Sequence, residues 1–266
     1  MTAQSVALAS TTDRRSGGMF LGFGNVLRKE FTEWFKGPKA LIIAGISIVG
    51  AVFMSLIPFI AKATNEAEAA GLTSMDPTAN VLLVLTGQTV SLIAVVATMA
   101  LISSERDRGT LAWSLTNPVS PTSIIAAKFI AAFVVLSLTA VVLPLIVAIG
   151  VATVAYGGMP DLRIVGTYGA LFLTVPALYA GLTVGFGTAI KTTAGVAGAA
   201  FAAMFVPQII GGLSPILNEL TPTSIGTWAL AVAKGQPAST LTLASWVVTM
   251  VVIVIGSKLV FDRQEP

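Results

Sequence analysis

Residues 129–160 read FIAAFVVLSLTAVVLPLIVAIGVATVAYGGMP, a run without a single charge between Lys128 and Asp161. A bilayer core about 30 Å thick is crossed by ~20 helical residues, so this stretch is long enough to span a membrane. Five more charge-free runs reach spanning length: 40–61, 77–104, 164–190, 192–218 and 235–257. The next longest, 220–233, has 14 residues and fits an interfacial or re-entrant piece. With polar ends trimmed, the runs predict helices near 40–61, 80–103, 124–150, 164–189, 194–213 and 240–259.

Composition requires the same solvent. Of 266 residues, 55% are apolar and 10% charged, and the mean hydropathy is +0.89. A soluble domain carries roughly 25% charged residues, so most of this surface faces lipid. The expected fold is therefore all-α and integral to the membrane, with six transmembrane helices. Neither Cys nor His occurs, which removes thiolate chemistry, the commonest general base and the commonest metal ligand.

Orientation follows from the cations. One side collects Arg14, Arg15, Arg28, Lys29, Lys36, Lys39, Arg106, Arg108, Lys128, Lys191, Lys258 and Arg263, the other only Lys62, Arg163 and Lys234. Positive charge marks the cytoplasmic side, so both termini and the 104–123 loop are expected there. Arg14-Arg15 before Phe20-Leu21 resembles a twin-arginine export signal, but Arg28, Lys29, Glu30 and Glu33 interrupt the apolar stretch that would have to follow, so a polar tail is the expected reading. Residues 1–19 read as a disordered cytoplasmic tail. In 20–38, Phe20, Phe23, Leu27, Phe31, Trp34 and Phe35 share one helical face, opposite Asn25, Arg28, Lys29, Thr32 and Lys36. This predicts an amphipathic helix in the cytoplasmic interface, its aromatics at the headgroup boundary, broken by Gly37-Pro38 before the first span. Residues 39–259 form the transmembrane domain, and 260–266 a short cytoplasmic tail.

The loop after span two concentrates charge at the membrane exit, Glu105-Arg106-Asp107-Arg108, followed by Gly109 and a short apolar segment stopped by Asn117-Pro118. On the residues alone it is either a docking element for a partner or an ordinary connection. The string Glu105-Arg106-x-Arg108-Gly109-Thr110-Leu111, then Pro118-Val119-Ser120, then Lys128, resembles the ABC-2 family of ABC-transporter permeases. The helix ending Lys29-Glu30-Phe31-x-Glu33-Trp34 is similar to that family's connecting helix. The Pro-containing outer segment and the tail Phe261-Asp262-Arg263 are similar too. Pro121 departs from the pattern, since a basic residue often follows Pro-Val-Ser there.

The resemblance implies a type V exporter-like fold in the plasma membrane of a prokaryote. It maps the elements that couple to an ATPase onto Arg28, Lys29, Glu30, Glu105, Arg106, Arg108, Gly109 and Thr110. The implied partners are two copies of a cytosolic ABC ATPase, a second permease (identical or homologous) and membrane lipid, with no nucleic acid. ATP and Mg would be bound by the ATPase, and this chain would hold no cofactor, metal or catalytic group.

The sequence agrees on the energy source. No Gly-Lys dipeptide occurs, so a P-loop cannot be written here. The spans contain no ionisable group for a proton relay, although carbonyls and hydroxyls at broken helices keep a sodium-driven carrier open. A channel or scaffold without ATP coupling is the remaining alternative. Intrinsic catalysis lacks its parts, because every Lys sits at a membrane boundary and no acidic pair lies within a span.

Ala177, Gly181 and Gly185 repeat at four-residue spacing in span four, a small-residue face suited to close helix packing within the bundle. In span five, Pro207 is expected to kink or end the helix, and Gln208 should face protein or a polar cavity. In the family this span contributes to the dimer seam and conduit, so the resemblance gives Phe205 and Gln208 as pathway-lining. A Pro kink with a satisfied amide is the alternative. Residues 214–239 predict two short interfacial helices capping the conduit, with Trp228 at headgroup depth.

Overall fold

The computed structural model describes residues 20–63, 76–86, 88–107 and 119–263, with no strand among them. Helix α1, Phe23–Lys36, precedes α2, Lys39–Ala63, with only Gly37 and Pro38 between. Span two is divided into α3, Pro77–Thr86, α4, Thr89–Thr98, and the short α5, Ser103–Asp107. Span three comprises α6, Pro121–Leu136, a π-helical turn, Ser137–Val142, and α7, Leu143–Tyr156. Span four is α8, Leu162–Phe172, followed by α9, Thr174–Ala189. Span five is α10, Thr193–Gly211. Between it and the last span come α11, Pro215–Leu220, a 3-10 turn, Pro222–Ser224, and α12, Ile225–Ala233. Span six is α13, Thr240–Asp262. Six helical stretches among the described residues are long and apolar enough to cross a bilayer. The tail 1–19 and residues 108–118, including Arg108, Gly109 and Thr110, lie outside the described residues.

Span two, expected as one helix over 80–103, is interrupted after Thr86 and again near Met99. Span three runs from Thr122 to Tyr156, longer than the 124–150 expected. Its 35 residues give a rod about 52 Å long, well over the hydrocarbon thickness. The π turn has a covalent origin. Pro144 has no N–H to return to Ala140 and its ring crowds that carbonyl, and the ladder shifts so that Leu143 N donates to Leu138 O. Pro207, by contrast, does not end its helix, which continues to Gly211.

Span four is the hub, with 61% of its apolar window buried, whereas span six has 6%. The small residues explain how the neighbours come so close. A Cβ at Gly185 would lie 3.1 Å from Ser257 Oγ and 3.2 Å from Ile253 Cγ2, and one at Gly181 3.4 Å from Met250 Cε. Both glycines therefore face span six, while Ala177 is buried on the same helix. Trp246 of span six donates from Nε1 to Thr174 O at 3.1 Å, fixing the register of the pair.

Two cores result. The larger runs from Trp34 through Leu136 and Phe172 to Ile225, and the smaller groups Ala51, Val81, Val84, Ala148, Ala152 and Val165 where spans one to four meet. Beside the smaller core, buried Asn80 donates from Nδ2 to Ser55 O at 3.1 Å and to the Tyr156 hydroxyl at 3.2 Å. Helix α12 packs onto the bundle: Ile225 and Ala229 are fully buried, and Trp228 is half-buried against the larger core.

Candidate functional site

Helix α1 has apolar residues at helical spacing, and one charge sits among them. Glu30 lies one turn before Trp34, and these two are the buried residues of the helix. The helix packs along α6, so Trp34 is 3% exposed and Leu27 and Phe31 lean on the core, while Phe20 and Phe35 stay outside. The aromatic face is thus divided between protein and membrane boundary. Span three supplies the protein side because it is long enough to extend alongside α1. Its start is capped: Ser120 Oγ accepts from Ser123 N at 3.2 Å, and Ser120 N donates to Leu21 O at 3.1 Å.

Glu30 meets Lys128 of α6. The Lys128 ammonium donates to Glu30 Oε1 at 2.8 Å and lies 3.0 Å from Glu105 Oε2. Both Lys128 and Glu30 side chains are 2% exposed. The other Glu105 oxygen accepts from Lys29 Nζ at 2.9 Å, and Lys29 also lies 3.5 Å from Glu33 and 4.0 Å from Glu30. Three elements distant in sequence therefore end in one charged joint: α1, the exit of span two and the entry of span three. Ser103, two residues before Glu105, shares a 2.8 Å hydroxyl contact with Thr193 at the start of span five.

Burial sets the electrostatics. Loss of water pushes the Glu30 carboxyl above the usual carboxylate range, with the Lys128 charge opposing that shift. Burial also works against the Lys29 ammonium, but hydrogen bonding and attraction to Glu105, then Glu33 and Glu30, raise it above the ordinary lysine range. A lysine raised on folding contributes stability fully present below its unfolded value of about 10.4, and lost as pH rises through the raised value. The melting temperature of the detergent-solubilised protein should therefore fall as alkali passes that point, and Lys29→Met should remove this part of the fall. Glu30, Glu33 and Glu105 oxygens lie within 4.8 Å of one another, a set that could ligate a cation, yet two lysine ammoniums already stand among them.

Of the residues expected to couple to an ATPase, the structure joins Lys29, Glu30 and Glu105 through Lys128. Arg28 stands exposed on the other side of α1, and Arg106 lies within α5. In the sequence Lys128 was legible as a boundary cation and as the last residue of the resemblance string, not as the centre of this joint. Its neighbours Ile124, Ala127, Ala131, Ala132 and Val135 are all buried, and their i, i+3, i+4 spacing around it was the signal that this lysine points inward.

The span-five pair separates. Phe205 is 45% exposed and faces outward with Val206 and Ile209, stacked on Phe201 at 6.5 Å. Gln208 turns to span two, where it and Gln88 exchange two amide hydrogen bonds, Gln88 Nε2 to Gln208 Oε1 at 2.7 Å and Gln208 Nε2 to Gln88 Oε1 at 3.1 Å. Gln88 stands just before α4, so the polar pair ties span two to span five.

No curated protein matches the chain. The family model described as ABC-2 family transporter protein matches residues 24–265, and that range takes in α1, the charged joint and all six spans. The chain belongs to the ABC-2 transporter family, as a multi-pass membrane permease component.

Proposed function

We propose that this chain is the membrane half of an ATP-driven exporter, moving its cargo by alternating access. Two permeases, identical or homologous, work with two cytosolic ABC ATPase subunits that bind ATP and Mg, and this chain contributes no catalysis. The α1 end with both termini faces the cytoplasm of a prokaryotic cell. The observation that carries the reading is the charged joint: Glu30, Glu105 and Lys128 bind α1, span two and span three into one unit where a cytosolic partner would press. A push on α1 or on the 104–123 loop then moves two spans together. With Glu30 and Glu105 turned inward, the partner meets the exposed residues around them, Arg28 among these, and the buried carboxylates transmit the movement.

A tagged pull-down from native membranes tests the reading. A Walker-motif ATPase should copurify with the wild-type chain, and its recovery should drop several-fold with Glu105→Ala or Gly109→Pro. If mild crosslinking recovers no nucleotide-binding partner, the chain works as a channel or scaffold without ATP coupling.

A further inference from the structure

At the far end from the charged joint, a cavity of about 100 Å³ lies between spans two, four and five, beneath the turn that leads into α12. Among the described residues its lining has no charged side chain. It does have hydroxyls. Tyr168 is fully buried and lines the cavity. The buried Thr223 Oγ1 has no hydrogen-bond partner among the described residues. Tyr179, 2% exposed, has its hydroxyl against Ser91 and Gln208, and the Gln88–Gln208 amide pair stands at the rim.

Buried polar groups left unpaired in a membrane protein are costly, so the unpartnered Thr223 hydroxyl in a lining that also holds Tyr168 and Tyr179 marks a place where a polar guest completes it. The guest must be small, since the volume equals about three water molecules at ~30 Å³ each. It must also be neutral, because nothing there pairs a charge. The ring of Phe172, 5.2 Å from that of Tyr168, gives an aromatic wall against which a carbon skeleton packs. The surface beside the rim is apolar, formed by outward Phe205, Val206 and Ile209.

We propose that this cavity binds the uncharged, hydroxyl-bearing head of an amphiphilic molecule whose apolar tail runs out past Gln208 over span five. Donors and acceptors are both present, as hydroxyl and amide groups, which suits an alcohol or polyol better than a pure acceptor. Its assignment as the cargo's head-group site rests on the transporter reading above. Binding itself does not depend on ATPase coupling, so the two fail separately.

The test uses the full-length chain in detergent, with three eight-carbon probes: monooctanoylglycerol, octanoate and octyltrimethylammonium. Monooctanoylglycerol should raise the melting temperature saturably, and the two charged probes should not. Tyr168→Phe, which keeps the ring and removes the hydroxyl, should weaken that response about tenfold, as should Thr223→Val. The proposal is overturned if the glyceride gives no saturable shift, if both variants respond as wild type does, or if the charged probes act equally. In each of those cases the cavity is not a site for an uncharged head group.

Discussion

Lys128→Met should cost about 3–5 kcal/mol of stability, the loss seen when one partner is taken from a buried ion pair. Among the described residues the ammonium is the cation within hydrogen-bond distance of both Glu30 and Glu105, and without it the nearest described cation to buried Glu30 is Lys29, 4.0 Å away. Lys29 cannot replace it, because it is half-exposed, 4.0 Å from Glu30 and committed to Glu105. The expected result in detergent is a melting temperature well below wild type, with α1 detached from α6 and newly open to protease. The double variant Lys128→Met with Glu30→Leu should recover most of the loss, since an apolar pair of similar size suits the interface and Glu105 keeps Lys29. A single variant as stable as wild type would mean that water reaches the joint.

Gly185→Leu should be the next most damaging change. A Cβ alone would already sit tightly against Ser257 and Ile253, at 3.1 and 3.2 Å, so a larger side chain must force span six away from span four. Overpacking of this kind costs about 1–3 kcal/mol. The effect should register as a lower melting temperature and as loss of the 3.1 Å contact between Trp246 and Thr174, read as a shift in tryptophan emission. Gly150→Leu is the control, because nothing lies within 4 Å of a Cβ there.

The six spans were legible because spanning is a one-dimensional property: a run either has enough uncharged residues or does not. The α1 helix was legible for a similar reason, its 3.6-residue period being written locally. The joint was not. Glu30 and Lys128 are 98 positions apart, and each alone reads as an ordinary charge near a membrane boundary. Only the packing of α1 along α6 brings them together. The Gln88–Gln208 pair was hidden because its two amides are 120 positions apart. Pro144 and Pro207 show that one residue type has two outcomes. The first displaces the ladder into a π turn, the second is absorbed, and composition does not separate them.

The exposure of span six has a consequence for biogenesis. Span four enters the bilayer two helices earlier, its groove at Gly181 and Gly185 already shaped but without the helix that fills it. Until span six emerges that small-residue face has no helix against it, so closing this seam is left to the last span. With 6% of its apolar window buried, span six gains little from general burial, and its docking is governed by how closely those two glycines let it approach.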